Sequence, residues 1–142
     1  MTLSNVVAPG PPVGPGVAVK AMGLEVDAVT ASRVVGHMRL GPEHHTPWGI
    51  VHGGVYCSII ESLSSVCGHV WLSENGGGTV VGVNNNTDFL RAISGGTVHA
   101  VATPIHRGRR QQLWVTTITD DDGRVVARGQ VRLQNLAEEG RP

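Results

Sequence analysis

Residues 52–72 read HGGVYCSIIESLSSVCGHVWL, and this stretch decides the architecture. From Val55 to Leu72 there is no proline and a single glycine, Gly68. Val55, Ile59, Leu63, Val66 and Val70 recur at helical steps of three and four. Tyr56, Ile60, Cys67 and Trp71 fill the adjacent face, so the predicted helix is apolar round most of its circumference. Such a helix must be largely enclosed by other structure. Its remaining face carries Gly54, Ser58, Glu61, Ser65, Gly68 and His69, small and polar with one acid.

Outward from that helix the chain reads as strands. Residues 24–29 and 31–40 form two short ones, the second rich in Val34, Val35, Met38 and Leu40. Residues 41–49 hold two prolines, two histidines and a Trp and read as a loop. After Asn75-Gly76-Gly77-Gly78 come four more strands, over 79–90, 97–106, 111–120 and 124–134. The last two are joined by Asp122-Gly123, a tight-hairpin dipeptide, beyond which Val125, Ala127, Gly129, Val131 and Leu133 alternate with Val126, Arg128, Gln130 and Arg132. Two strands, one enclosed helix and four antiparallel strands make an α+β domain, here residues 18–136. Residues 8–16 contain four prolines and three glycines, so 1–17 read as a disordered leader, and 137–142 as a polar tail. Asn84-Asn85-Asn86 places polar groups on both faces of a strand, as at a cavity wall or a sheet edge.

Composition narrows the function. In 142 residues, 40% are hydrophobic and 15% charged, and 11 Lys+Arg balance 11 Asp+Glu. One domain with a real core follows, without the basic surface that general nucleic-acid binding needs. Near-zero net charge suits self-association. No secretory or membrane-spanning segment is expected. Cys57 and Cys67 stand ten residues apart on one helix. That is about 15 Å of rise, too far for a disulfide, as in a reducing cytoplasm. His44, His45 and His52 cluster without an acid or thiol at a familiar ligand spacing, so no metal is expected.

Glu61 is the only formally charged side chain between Glu43 and Glu74. An ionised acid within an enclosed helix is costly unless it serves a purpose, and a carboxylate in a partly dry site suits base or nucleophile chemistry. Gly53 and Gly54 stand where the helix begins, with unpaired N–H groups and the positive dipole end available to a developing oxyanion.

The run Pro47-Trp48-Gly49-Ile50-Val51-His52-Gly53-Gly54, with an acid nine residues after the His, resembles the hotdog-fold acyl-CoA thioesterases of the 4-hydroxybenzoyl-CoA and phenylacetate-degradation types. Asp88-Phe89-Leu90-Arg91-Ala92 resembles the family's NFLRP-type strand end, and His106-Arg107-Gly108-Arg109-Arg110 its HRGRR-type strand start. The resemblance implies an antiparallel sheet wrapped around one long central helix, and hydrolysis of an aryl- or medium/long-chain acyl-CoA. Glu61 would be nucleophile or general base, with the Gly53 N–H polarising the thioester carbonyl. Ser65 would help hold the acid or the water, and His52 would shape the loop and support the catalytic site, with a role as the base as the alternative. Thr46 stands where many relatives carry Asn or Gln, with His45 as a substitute contact. Arg91, Arg109 and Arg110 would meet coenzyme A phosphates. Coenzyme A is then part of the substrate, and no separate cofactor is implied. The resemblance further implies a homodimer or homotetramer with sites across a subunit interface. A hotdog hydratase-dehydratase and a non-catalytic acyl-CoA-binding module are the alternatives.

Overall fold

The computed structural model describes residues 17–138; the expected leader, apart from Val17, and the tail from 139 onward lie outside the described residues. Helix α1 (Val17–Ala21) leads into strands β1 (Leu24–Val29) and β2 (Val34–Leu40). A short 3-10 turn (Pro42–His44) precedes helix α2 (Gly53–Glu74), followed by β3 (Thr79–Phe89), β4 (Gly96–Arg107), β5 (Gln111–Thr119) and β6 (Val125–Leu136). All six strands join one antiparallel sheet in the order β1-β2-β4-β5-β6-β3.

The sheet curls round α2, and the core lies between them. From the helix, Val55, Tyr56, Ile59, Ile60, Leu63, Val66, Cys67 and Leu72 are buried. They meet Met38, Ala100, Trp114, Ile118, Val131 and Leu133 from the concave face. Length and composition alone would let α2 cross a membrane, but more than half of its most apolar window is buried inside the fold, which makes it the core helix.

Four details differ from the sequence reading. Val17 belongs to α1, not to a leader. β2 begins at Val34, because the Thr30 hydroxyl accepts the amides of Ser32 and Arg33 and closes a turn there. Val125 is exposed and Val126 buried, since the β5–β6 register shifts between Ile118 and Thr119. Gly68 does not share the open face of Glu61: a Cβ there would collide with Leu133 and come within 2.9 Å of Gln112 Oε1. The curled ends of β5 and β6 cover this half of the helix and demand a residue without a side chain.

Among the described residues strand β3 pairs only with β6, so it forms one edge of the sheet. The three asparagines lie on that edge, where Asn85 Nδ2 donates to the Cys57 carbonyl of α2 at 3.0 Å. Val83 on the same strand, and Phe89 and Leu90 at its end, are more than half exposed.

Candidate active site

The loop ahead of α2 is held by histidines that look alike in sequence and do different work. His44 is buried; its Nδ1 accepts the Gly41 amide at 3.0 Å and its Nε2 donates to the Met22 carbonyl at 2.6 Å. His45 Nε2 donates to the Ser94 carbonyl at 2.6 Å, so that its ring joins this loop to the segment after β3. The Val51 amide reinforces that link with a bond to the Ile93 carbonyl at 2.9 Å. Thr46 Oγ1 accepts the Trp48 amide at 3.3 Å, while the Thr46 backbone closes the 46–50 turn. Trp48, at the tip, is 84% exposed.

His52 is the N-cap of α2. Its Nδ1 accepts the Gly54 amide at 2.8 Å, and its carbonyl accepts the Val55 amide at 3.0 Å. With the Nδ1 lone pair committed, the ring acts as a structural cap. The Gly53 N–H, in contrast, meets no acceptor among the described residues, and it points from the positive end of a 22-residue helix. Over Gly53 lies the ring of Phe89, which also faces the buried Tyr56 at a centroid distance of 6.1 Å. The Tyr56 hydroxyl is enclosed without a hydrogen-bond partner among the described residues, and burial raises its pKa.

Glu61 sits on the uncovered face of α2, against the free-edge strand. Its Oε1 comes within 2.9 Å of the point a Cβ on Gly82 would occupy, beside the register shift between Gly82 and Asn84. The carboxylate is exposed in the single chain, not enclosed as its sequence setting implied. Ser65, one turn further on, is half-buried, and no hydrogen bond joins it to Glu61 among the described residues. Along the helix, Gly53 and Glu61 are eight residues and so about 12 Å apart.

The three arginines do not form one cluster. Arg91 follows β3 where Phe89 pairs with Ala127, whereas Arg110 precedes Gln111, which pairs with Gln134. Seven residues of β6 separate those rungs, roughly 23 Å. Arg109 and Arg110 instead line a cavity of about 670 Å³ with His106, Gly108, Gln111 and Gln134.

An acid on a sheet-wrapped helix, with an unengaged amide at that helix's N-terminus, is equipment for attack on an activated carbonyl. The sequence model of the thioesterase superfamily matches residues 49–127, more than half of the chain, and the protein belongs to that superfamily. A Mycobacterium tuberculosis protein provisionally named an esterase is 67% identical over 95 residues, a match spanning 66% of each chain. The proofreading thioesterase EntH of Cronobacter turicensis is 33% identical over 109 residues, covering 77% of this chain and 78% of that one. Among solved structures, S. sahachiroi AziG superposes with a TM-score of 0.83 at 41% identity, covering 87% of this chain and 98% of that chain. A thioesterase of Haemophilus influenzae superposes at 0.78 with 32% identity, covering 87% of each. The six-stranded sheet around one helix is the hotdog fold.

Proposed function

We propose that the protein hydrolyses acyl-CoA thioesters at a site assembled from two copies of the chain, with Glu61 as nucleophile or general base. The observation that carries this reading is the placement of Glu61 on the open face of α2 at the free edge of β3, on the same helix as the unengaged Gly53 amide. In the general-base route Glu61 takes a proton from water, and the hydroxide oxygen adds to the thioester carbon. Negative charge gathers on the carbonyl oxygen, where the Gly53 N–H and the helix dipole stabilise it. The tetrahedral adduct collapses, the C–S bond breaks and coenzyme A leaves as its thiolate. In the nucleophilic route a Glu61 oxygen adds first, the C–S bond breaks with loss of the coenzyme A thiolate to leave a mixed anhydride, and water then cleaves that anhydride to the free acid and Glu61.

A reacting carbonyl must sit about 3 Å from both the attacking group and the oxyanion donor. Gly53 and Glu61 of one chain are separated by about 12 Å of helix rise, so the two groups of each site are assigned to different chains. Antiparallel pairing of two β3 edges about a twofold axis sets the Gly82 end of one strand against the Phe89 end of the other. Glu61 of one copy then approaches the helix N-terminus of the second. The same operation carries Arg91 of one copy to the sheet end that holds Arg109 and Arg110 of the other, where they would grip coenzyme A phosphates. Exposed Val83, Phe89, Leu90 and Trp48 supply apolar surface for such a contact.

The test is a panel of aryl- and fatty-acyl-CoAs with a thiol reagent, run on the wild type and on Glu61→Gln. Release of free coenzyme A by the wild type, lowered by orders of magnitude in the variant with coenzyme A binding retained, supports the reading. Equal kcat in the two removes Glu61 from the mechanism; binding without release makes the protein a carrier, and hydration without thiol release a hydratase.

A further inference from the structure

Between α2 and the 108–110 turn runs a chain of amide hydrogen bonds that no catalytic step uses. Gln112 on β5 is fully buried, yet all three of its polar directions are occupied. Its Oε1 accepts the Trp114 indole N–H at 2.8 Å; its Nε2 donates to the Gly68 carbonyl of α2 at 3.1 Å and to Asn135 Oδ1 at 2.8 Å. Asn135 on β6 continues outward. Its Nδ2 donates to the carbonyls of Gly108 at 3.0 Å and Arg109 at 3.1 Å, and its backbone N–H donates to the Arg110 carbonyl at 2.8 Å. Three consecutive carbonyls of one tight turn are thus held by one residue. That turn carries Arg109 and Arg110, both exposed and both at the wall of the 670 Å³ cavity.

We infer that Asn135 is a positioning residue for the arginine turn: it fixes the backbone at 108–110 so that Arg109 and Arg110 present a preformed cradle to a phosphorylated ligand, and Gln112 anchors that cradle to α2. The inference rests on the reading above that these arginines bind coenzyme A phosphates. Its physical basis is preorganisation. A turn whose carbonyls are already satisfied keeps its conformation when the ligand arrives, so less backbone entropy is lost on binding. An amide suits the task because one side chain supplies an acceptor toward the core and two donors toward the surface. Alanine at 135 would leave Gln112 Nε2 its bond to Gly68, and the Gly108 and Arg109 carbonyls could turn to water. The turn would then loosen without the core opening.

The experiment compares one acyl group carried on coenzyme A and on pantetheine, which lacks the nucleotide phosphates. Asn135→Ala should raise KM for the coenzyme A ester roughly tenfold with kcat within about twofold, and leave the pantetheine ester's kinetics unchanged. Equal losses on both esters would mark Asn135 as merely structural and overturn the inference. The Arg109→Ala/Arg110→Ala double variant separates the two layers of the argument. If it behaves as wild type toward both esters, the phosphate reading fails. If it raises KM for the coenzyme A ester while Asn135→Ala does not, the positioning role alone fails. In the double-variant background Asn135→Ala should add less than about twofold, because its effect runs through those side chains. A measurement on the wild type holds even if position 135 tolerates no change. The Asn135 side-chain amide hydrogens should exchange slowly in the ligand-free protein and keep that protection at saturating coenzyme A, and rapid exchange in the ligand-free protein would overturn the inference.

Discussion

The ring of Phe89, at the end of β3, lies against Gly53, the first residue of α2: a Cβ on Gly53 would fall 2.5 Å from both Cε2 and Cζ of that ring. The contact explains why a residue without a side chain stands at the first position of α2, and it couples the sheet edge to the helix start. Gly53→Ala forces the ring aside, but Phe89 is more than half exposed and can turn away, so the loss should stay below about 1 kcal/mol, under the range for overpacking in a closed core. Phe89→Leu should recover part of that loss in the double variant. Urea midpoints of the four proteins give the coupling energy, and strict additivity would show that the two residues do not touch in solution.

On the convex face, His37 is held by two acids of β1. Its Nδ1 bonds to Asp27 at 2.8 Å and its Nε2 to Glu25 at 2.8 Å. His99 stands opposite on β4, with ring centroids 6.4 Å apart and with its own acid, Asp121, at 3.6 Å. The hydrogen bond to Asp27 is the main reason the His37 pKa is raised, against a smaller opposing effect of burial. A pKa raised by folding means that the folded chain binds the proton more tightly. This contribution is fully present below the unfolded value of about 6.5 and is lost as pH climbs through the higher folded value. The urea midpoint should therefore fall as pH rises above about 6.5, and His37→Gln should flatten that slope. A slope unchanged in the variant would assign it to another group.

The two thiols differ in reactivity. Cys67 is buried, 3.5 Å from the Thr30 carbonyl, and burial pushes its pKa up to about 12, with Arg107 pulling weakly the other way. At pH 8 only about one Cys67 in ten thousand is a thiolate, the form that reacts. Cys57 lies half-exposed one turn before Glu61. A disulfide-exchange reagent should modify Cys57 in the native protein and Cys67 only after denaturation. One fast thiol in native Cys67→Ala and none in native Cys57→Ala is the expected pattern; its reverse would place Cys67 at the surface.

The helix was legible because it is long, free of proline and apolar round most of its circumference, and the strands because buried and exposed residues alternate along them. What escaped the sequence depends on contacts across the chain. The sequence spacing groups His44 with its neighbours as a loop histidine, but it is a buried latch between the Gly41 amide and the Met22 carbonyl. Gly68 lies seven residues from Glu61, nearly the same helical face, and only the curl of β5 and β6 separates their environments. Arg91, Arg109 and Arg110 follow one another in motif order, yet the crossover that puts β3 beside β6 sends them to opposite ends of the sheet. Gln112 and Asn135 have ordinary strand neighbours, and no spacing announces that their amides meet.

The separation of Glu61 from Gly53 gives the sharpest test of the shared site. In a site built from two chains, Glu61→Gln disables the acid of its own copy and Gly53→Val the oxyanion donor of its own. Each pure variant is therefore inactive. A hybrid dimer has one site with both lesions and one with neither, because the intact Glu61 and the intact Gly53 come from different chains. Random 1:1 pairing makes half of all dimers hybrid, so the mixture should regain about a quarter of wild-type activity. If each site instead used Glu61 and Gly53 of one chain, every site in the hybrid would carry one lesion and the mixture would stay inactive. The two variants should be co-expressed with different affinity tags, and hybrids isolated by sequential capture. Sedimentation of each pure variant confirms that it still assembles. Activity in the hybrid fraction with none in either parent supports the shared site, while an inactive hybrid of normal size, or an active wild-type monomer at micromolar concentration, would overturn it.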